Sequence, residues 1–356
     1  MAKPVYLSGG RIQGRSDDSV ESAIPQTSWK ELERTTLVSS NATIDSGTFT
    51  AKDNLMVLYH GIHHSGYIQA KLQVGNSTID TGTNYASRHS RDGASDNTGN
   101  TSATFLADFA DGTDNSDEFS VTTIRNIATK EKLAIAHGMN EGTSGAGNAP
   151  HRAECVGKWV NTSNQINRIQ VTTANTFAAG SEIVILGCDD DEADSGTNFW
   201  QELTVKELSS AGDTIDTGTF TAKKYLKVDV FIKATSAVRT QFQFNSDTGS
   251  NYVNRNSKNG GTDSSNASVA RIYLNDLERS SDGYSVAYIN NVASKEKLII
   301  YEDNWQNTTG TGTAPDRTET VAKWANTSDQ ITSIQLLNDK AGDFLSGSFI
   351  RVWGSD

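Results

Sequence analysis

Three histidines within five positions, His60, His63 and His64 in "HGIHH", are the first residues whose type and spacing suggest chemistry. Neutral imidazole is a common metal ligand, but a site needs partners. No cysteine or carboxylate stands at a recognisable ligand spacing from these three. In an extended segment His60 and His64 share a face while His63 points away. The group therefore reads as a local surface feature, and no metal is assigned to it. Two longer segments are rich in oxygen ligands: "DTGTNYASRHSRDGASDN" from Asp80 and "DTGSNYVNRNSKNGGTDSS" from Asp247. They lack the alternating Asp spacing with a following Glu that defines a calcium loop, and turn chemistry accounts for the same residues. Within them Asn84, Arg88, Asn251 and Arg255 are expected to fix a loop by hydrogen bonding to the backbone.

Charged residues that occur twice at matching places are the remaining candidates. They are Arg152 and Arg317, Glu154 and Glu319, and the pairs Lys158-Trp159 and Lys323-Trp324. Such residues form either a buried ion pair or a ligand site, and the sequence leaves both open. No His, Ser or Cys nucleophile accompanies them in both places. No catalytic set is assembled, no cofactor is implied, and the chain reads as a non-enzyme. Cys155 and Cys188 read as small buried residues, with a disulfide as the alternative. Thr320 and Ser355 stand at the matching later positions.

The matching places belong to a duplication. "TIDSGTFTAK" from Thr43 returns as "TIDTGTFTAK" from Thr214, and "NYASRHSRDG" returns as "NYVNRNSKNG". Further on, "NIATKEKLAIAH" matches "NVASKEKLIIYE", "GKWVNTSNQINRIQ" matches "AKWANTSDQITSIQ", and "GSEIVILG" matches "GSFIRVWG". The matches are collinear and run through nearly the whole of both halves, so a domain-sized unit is repeated in tandem. The boundaries read as an N-terminal arm over 1–26, a first domain over 27–189, an acidic linker over 190–197 and a second domain over 198–356.

What positions these residues is a set of short strands. Hydrophobic residues make up 35 %, Gly is abundant at 30 and Pro scarce at 4, and no stretch holds a helical period over three turns. Runs such as "KELERTTLV", "TGTFTA", "GYSVAYINNV" and "SFIRVWG", separated by Gly, Asn, Asp and Ser, predict an all-β protein. Its architecture reads as two tandem duplicated antiparallel β-sandwich domains, jelly-roll-like, of about eight to ten strands each. In "YLKVDVFIKA" Leu226, Val228, Val230 and Ile232 face one way and Lys227, Asp229 and Lys233 the other. The matching "NLMVLYHGIH" keeps Leu55, Val57 and Tyr59 but places Met56, Leu58 and Ile62 where the second unit is charged. A strand apolar on both faces is covered on both faces. The cover is the other domain, the arm or a neighbouring subunit. Met56, Leu58 and Ile62 are therefore candidate assembly contacts, together with Arg11 and Arg15 of the arm, "YLSGGRIQGRS".

A net charge of -12 argues against nucleic acid or an anionic membrane as partner. No apolar stretch approaches the roughly 20 residues that span a bilayer. The first residues lack the apolar core of a signal peptide, so release by cell lysis is expected instead of secretion. The recurring pattern of Trp29 to Leu32, Gly47 to Lys52, Lys158 to Ile166 and Gly180 to Gly187 resembles virion structural proteins of environmental, tailed-phage-like viruses with tandem jelly-roll domains. That resemblance implies a non-enzymatic structural component, a capsid decoration, turret or tail-associated protein. It would be located in the virion and contact other virion proteins and copies of itself; no site residues transfer with the resemblance. The alternative is a tandem carbohydrate-binding or adhesin module for host glycans. Its mark would be an exposed aromatic platform in both units. Trp159 and Trp324 repeat, whereas Trp305 and Trp353 have no aromatic counterpart.

Overall fold

The structure, a computed structural model, describes residues 4–7, 11–14, 29–66, 69–107, 115–190, 198–274, 278–308 and 310–356. Every regular element among them is a β-strand, in antiparallel ladders. In the first half the larger sheet runs, edge to edge, through Asn97–Ser102, Tyr85–Arg91, His151–Trp159, Lys132–Asn140, Glu118–Arg125, Asn54–Gly61, Glu182–Cys188 and Lys30–Thr36. The smaller runs through Leu106–Ala107, Lys71–Asn76, Arg168–Phe177 and Asn41–Thr48, with the short His63–Ser65 and Thr78–Ile79 at its margin.

The second half repeats this order, except that among the described residues the two short marginal strands have no counterpart. Its larger sheet runs through Ser264–Val269, Tyr252–Lys258, Asp316–Trp324, Lys297–Trp305, Gly283–Asn290, Tyr225–Ile232, Phe349–Ser355 and Gln201–Glu207. Its smaller sheet runs through Ile272–Tyr273, Thr240–Phe244, Ile334–Asn338 and Thr214–Asp216. There are more strands than expected, because two-residue edge strands such as Leu106–Ala107 carry no readable alternation.

In each half the two sheets face each other over a core. In the first, Ile44, Leu72, Val74, Ile169 and Val171 of the smaller sheet meet Leu55, Val57, Ile183 and Ile185 of the larger. In the second, Phe242, Phe244, Ile334 and Leu336 meet Leu226, Val228, Val230, Ile350 and Val352. Each such side chain, fully buried, stabilises the fold by roughly 1.5–3 kcal/mol.

The repeated phrase is kept by a turn. The Asp45 carboxylate accepts the Gly47 N–H at 2.8 Å, and Asp216 accepts that of Gly218 at 2.8 Å, with both glycines at φ +65°. That left-handed conformation favours glycine over any residue with a Cβ. "TGTFTA" is correspondingly not a strand in the second half, where Thr214–Asp216 alone is paired.

A second device recurs under the loops. Trp159 donates its indole N–H to Asp80 at 2.8 Å, and Trp324 donates to Asp247 at 2.7 Å. The same carboxylates accept from the Gly82 and Gly249 backbones and from the Asn84 and Asn251 side chains. Asn84 and Asn251 thus bind a carboxylate, not the backbone as expected, because the turn brings Asp and Asn four residues apart into contact. Beside each tryptophan a buried lysine, Lys132 or Lys297, donates to three backbone carbonyls.

The histidines are not grouped as expected. The chain leaves the larger sheet after Gly61, and His63–Ser65 pairs with Arg168–Phe177 of the smaller one. A change of sheet at Ile62 ends the alternation, so His60 and His64 do not share a face. The two cysteines sit on strands four places apart in one sheet, about 19 Å at the usual strand spacing. That is too far for a disulfide between them. Of the arm, Arg11–Gly14 pairs with Pro4–Leu7. The side chain of Arg11, the whole of Arg15 and the acidic linker beyond Asp190 lie outside the described residues.

Candidate functional site

The outward faces of the two larger sheets pack on each other. Met56 and Leu58 of Asn54–Gly61, Phe119 and Val121, Met139, and Val184 and Leu186 form one wall. Tyr225, Leu298, Ile300, Val321 and Trp353 form the other, with Phe199 and Trp200 from the start of the second half in the same cluster. All are buried, and Phe119 stacks on Tyr225 at 6.5 Å. The apolar letters at Met56 and Leu58 thus have their cover inside the chain, in the second half. Ile62 lies away from this seam, bonded through its backbone to Ala178 and Ser181 at the sheet margin.

Polar groups border the seam, and several pair with their own counterparts. His137 Nε2 lies 3.2 Å from Glu302 Oε1, and these residues hold matching positions on Lys132–Asn140 and Lys297–Trp305. Glu154 meets Glu319, again its match. Arg152 bridges them, bonding Glu154, Glu319 at 3.4 Å and Asp263 at 2.9 Å, while Arg317 holds Glu319 at 2.5 Å. At these two pairs matching strands of the halves face each other, although the apolar residues buried in the seam are different ones in each half. The recurring Arg and Glu are an ion-pair network across the halves. Arg255 joins it by reaching the Pro150 carbonyl at 2.7 Å and Asp92 at 3.3 Å.

Burial and the neighbouring Glu154 push the Glu319 carboxyl up to about 8. Glu154 resists its own burial because Glu319 and the Arg152 charge hold it low. The pair thus keeps one proton at neutral pH, which turns a repulsion into a hydrogen bond. A second acid, Glu141, is raised to about 7 by burial and by Glu296. His60, buried at the edge of the seam, is lowered to about 4 by burial. Geometry speaks against a glycosidase reading of the acid pair. Carboxyls that bond each other leave no room for a sugar, whereas glycoside hydrolysis needs them roughly 5–9.5 Å apart.

These shifts predict a pH profile. The native chain holds protons on Glu319 and Glu141 that the unfolded chain gives up near pH 4.5, so stability falls as pH rises from about 5 through 8. His60 opposes this between about 6.5 and 4, where the unfolded chain alone takes a proton. Above about pH 6.5 neither acid is offset by His60. With the partial exposure of these groups discounted, a loss on the order of 2 kcal/mol between pH 5 and 8.5 is expected. Urea unfolding at the two pH values measures it, and Glu319→Gln flattens the slope. A profile that rises over this range would contradict the shared proton.

Beside the seam lies a cleft of about 970 Å³ lined by His137, Tyr284, Val286, Glu302, Asn304 and Arg317 among others. Tyr284, Val286 and Asn304 match Phe119, Val121 and Met139, so the surface that is apolar and covered in the first half is polar and open in the second. Tyr284 is half exposed. Trp159, Trp305, Trp324 and Trp353 are all buried, which leaves no repeated tryptophan platform. No cluster of His, Cys, Asp and Glu among the described residues is arranged to hold a metal ion. Among the described residues no helix is long and apolar enough to cross a membrane.

No protein-family model matches the chain, and no curated protein matches it. Among solved structures it is similar to domains LG4-5 of the mouse laminin alpha1 chain, with 12 % identity, 92 % of each chain covered and a TM-score of 0.21. It is also similar to Ail, the attachment invasion locus protein of Yersinia pestis, with 7 % identity over 76 % of this chain and 98 % of that one and a TM-score of 0.14. Neisserial surface protein A follows at 7 % identity over 81 % and 99 %, with a TM-score of 0.11. Likeness at these scores does not guide the reading below.

Proposed function

We propose that the chain is a non-enzymatic virion structural protein, a capsid decoration, turret or tail-associated component, built from two tandem duplicated jelly-roll-like sandwiches and acting through protein–protein contacts. The observation that carries this reading is the apolar seam. It fuses the outward faces of two sandwich-like halves, so the rigid unit is the pair, and the sheet face is itself a protein-docking surface. Such a unit offers two similar but non-identical sets of contacts to neighbouring subunits, copies of itself among them. The chain's acidity keeps it soluble until contacts form. Immunogold labelling of particles with antibody to the purified chain tests the proposal. Gold at regular positions on particles is expected, and unlabelled particles beside labelled soluble material would overturn it.

A second reading is favoured by the open cleft. A half-exposed Tyr284 among Asn304, Glu302 and Arg317 has the mix of aromatic face and planar polar groups that grips a sugar ring. Under it the chain is an adhesin for host glycans. A glycan array with the wild type and Tyr284→Ala decides: binding lost in the variant supports it, and no binding removes it.

A further inference from the structure

The second half's contribution to the seam includes Glu296, Leu298, Ile300, Val321 and Lys323. At the matching positions the first half has Glu131, Leu133, Ile135, Val156 and Lys158, the same five residue types in the same register. Their surroundings are opposite. Leu298, Ile300 and Val321 are 1 %, 3 % and 2 % exposed, covered by the first half. Lys323 is fully buried there and donates to the carbonyls of Glu141 at 3.0 Å and Thr143 at 2.6 Å, while Glu296 accepts the Gly145 N–H at 2.6 Å. Leu133, Ile135 and Val156 are 57 %, 54 % and 47 % exposed, and Lys158 and Glu131 pair with each other in solvent at 3.1 Å.

The open patch is contiguous. Ile135 and Val156 are directly opposite each other across neighbouring strands, and Leu133 lies two residues along on the same face. It is also continuous with the seam. Trp29, which packs against the seam, lines a groove with Leu133 and Ile135, and Met139 on the same strand face is buried in the seam. Large apolar side chains grouped in this way on a surface mark an interaction site more often than scattered ones do.

We infer that Glu131, Leu133, Ile135, Val156 and Lys158 form a docking surface for a second copy of this chain, which meets the same surface of its partner about a two-fold axis. The occupant follows from what covers the twin surface, namely the outward sheet face of a half of this same chain, and from the continuity of the open patch with that seam. Each chain has one such patch left open, and an isologous contact covers both at once and closes. It also lets each Lys158 exchange its own Glu131 for the partner's, so no charge is left unpaired. The area is small, so the contact is weak in solution and gains strength when many copies are arrayed.

This inference rests on the reading of the chain as an assembly protein. Analytical ultracentrifugation of the full chain from about 1 to 200 μM tests it, at about 0.15 M salt so that the net charge is screened within ~8 Å. A concentration-dependent dimer is expected, at least tenfold weaker in Ile135→Lys with an unchanged melting temperature, and unaltered in Val38→Lys, whose exposed valine stands alone on a turn. Under mild oxidation Ile135→Cys chains should cross-link to one another. A chain that stays monomeric throughout, a dimer indifferent to Ile135→Lys, or open-ended polymers would each overturn the proposal. None of these results would detach the chain from particles, so they refute the surface and leave the virion reading to its own test.

Discussion

Replacing Met56 with Lys and Leu58 with Asp, the residues' own counterparts from the second half being Lys227 and Asp229, should separate the two halves. In Tyr225–Ile232 the Lys227 and Asp229 side chains pair at 2.8 Å on the outward face. In Asn54–Gly61 the same places are sealed against the second half, with Leu58 fully buried. Removing two buried apolar side chains costs about 3–6 kcal/mol, and burying charges there adds to it unless they pair as in the twin strand. The net loss should be on the order of 5 kcal/mol. Since each half keeps its own core, the loss should appear as two melting transitions in place of one, with new dye-binding apolar surface. A single transition at the wild-type temperature would mean that the seam does not hold the halves together.

Lys297→Met should cost about 3–4 kcal/mol, the second largest effect expected. The Lys297 ammonium is fully buried and donates to the carbonyls of Ala293 at 3.1 Å, Lys295 at 2.8 Å and Asn326 at 2.7 Å, 5.8 Å from the centre of the Trp324 ring. Methionine fills the stem's volume but leaves three acceptors without a donor. Arginine should fail to rescue, because a planar fork cannot converge on three carbonyls as an ammonium does. The matching Lys132→Met should cost a similar amount in the first half, since its three acceptors are arranged alike. Urea unfolding followed by tryptophan fluorescence measures both. A loss below about 1 kcal/mol would show that water replaces the ammonium at these carbonyls.

Much of this is legible in the sequence. Met56 and Leu58 stood out because the twin strand is charged at the same places, and a strand apolar on two faces must be covered twice. The strand order of one half followed that of the other, as collinear repeats require. The faces of the histidines were misread because alternation holds only within one sheet, and the chain changes sheets at Ile62. Asp80 and Asp247 read as turn residues, and the indole N–H that each carboxylate accepts was not legible because its tryptophan comes from a strand some 80 residues on. The Glu154–Glu319 pair was visible only as two recurring letters; their meeting depends on how the halves dock. The open patch was hidden for the same reason. "KEKLAI" and "KEKLII" read alike, and which copy is covered is a property of the neighbour, not of the strand.

Mass spectrometry across a density gradient of nuclease-treated source material tests the proposed place of the chain in a virion. The chain is expected to peak with protected nucleic acid at a fixed ratio to a capsid protein, and that ratio would give its copy number in the particle. A chain that peaks away from nucleic acid, free or in fibres, would contradict it.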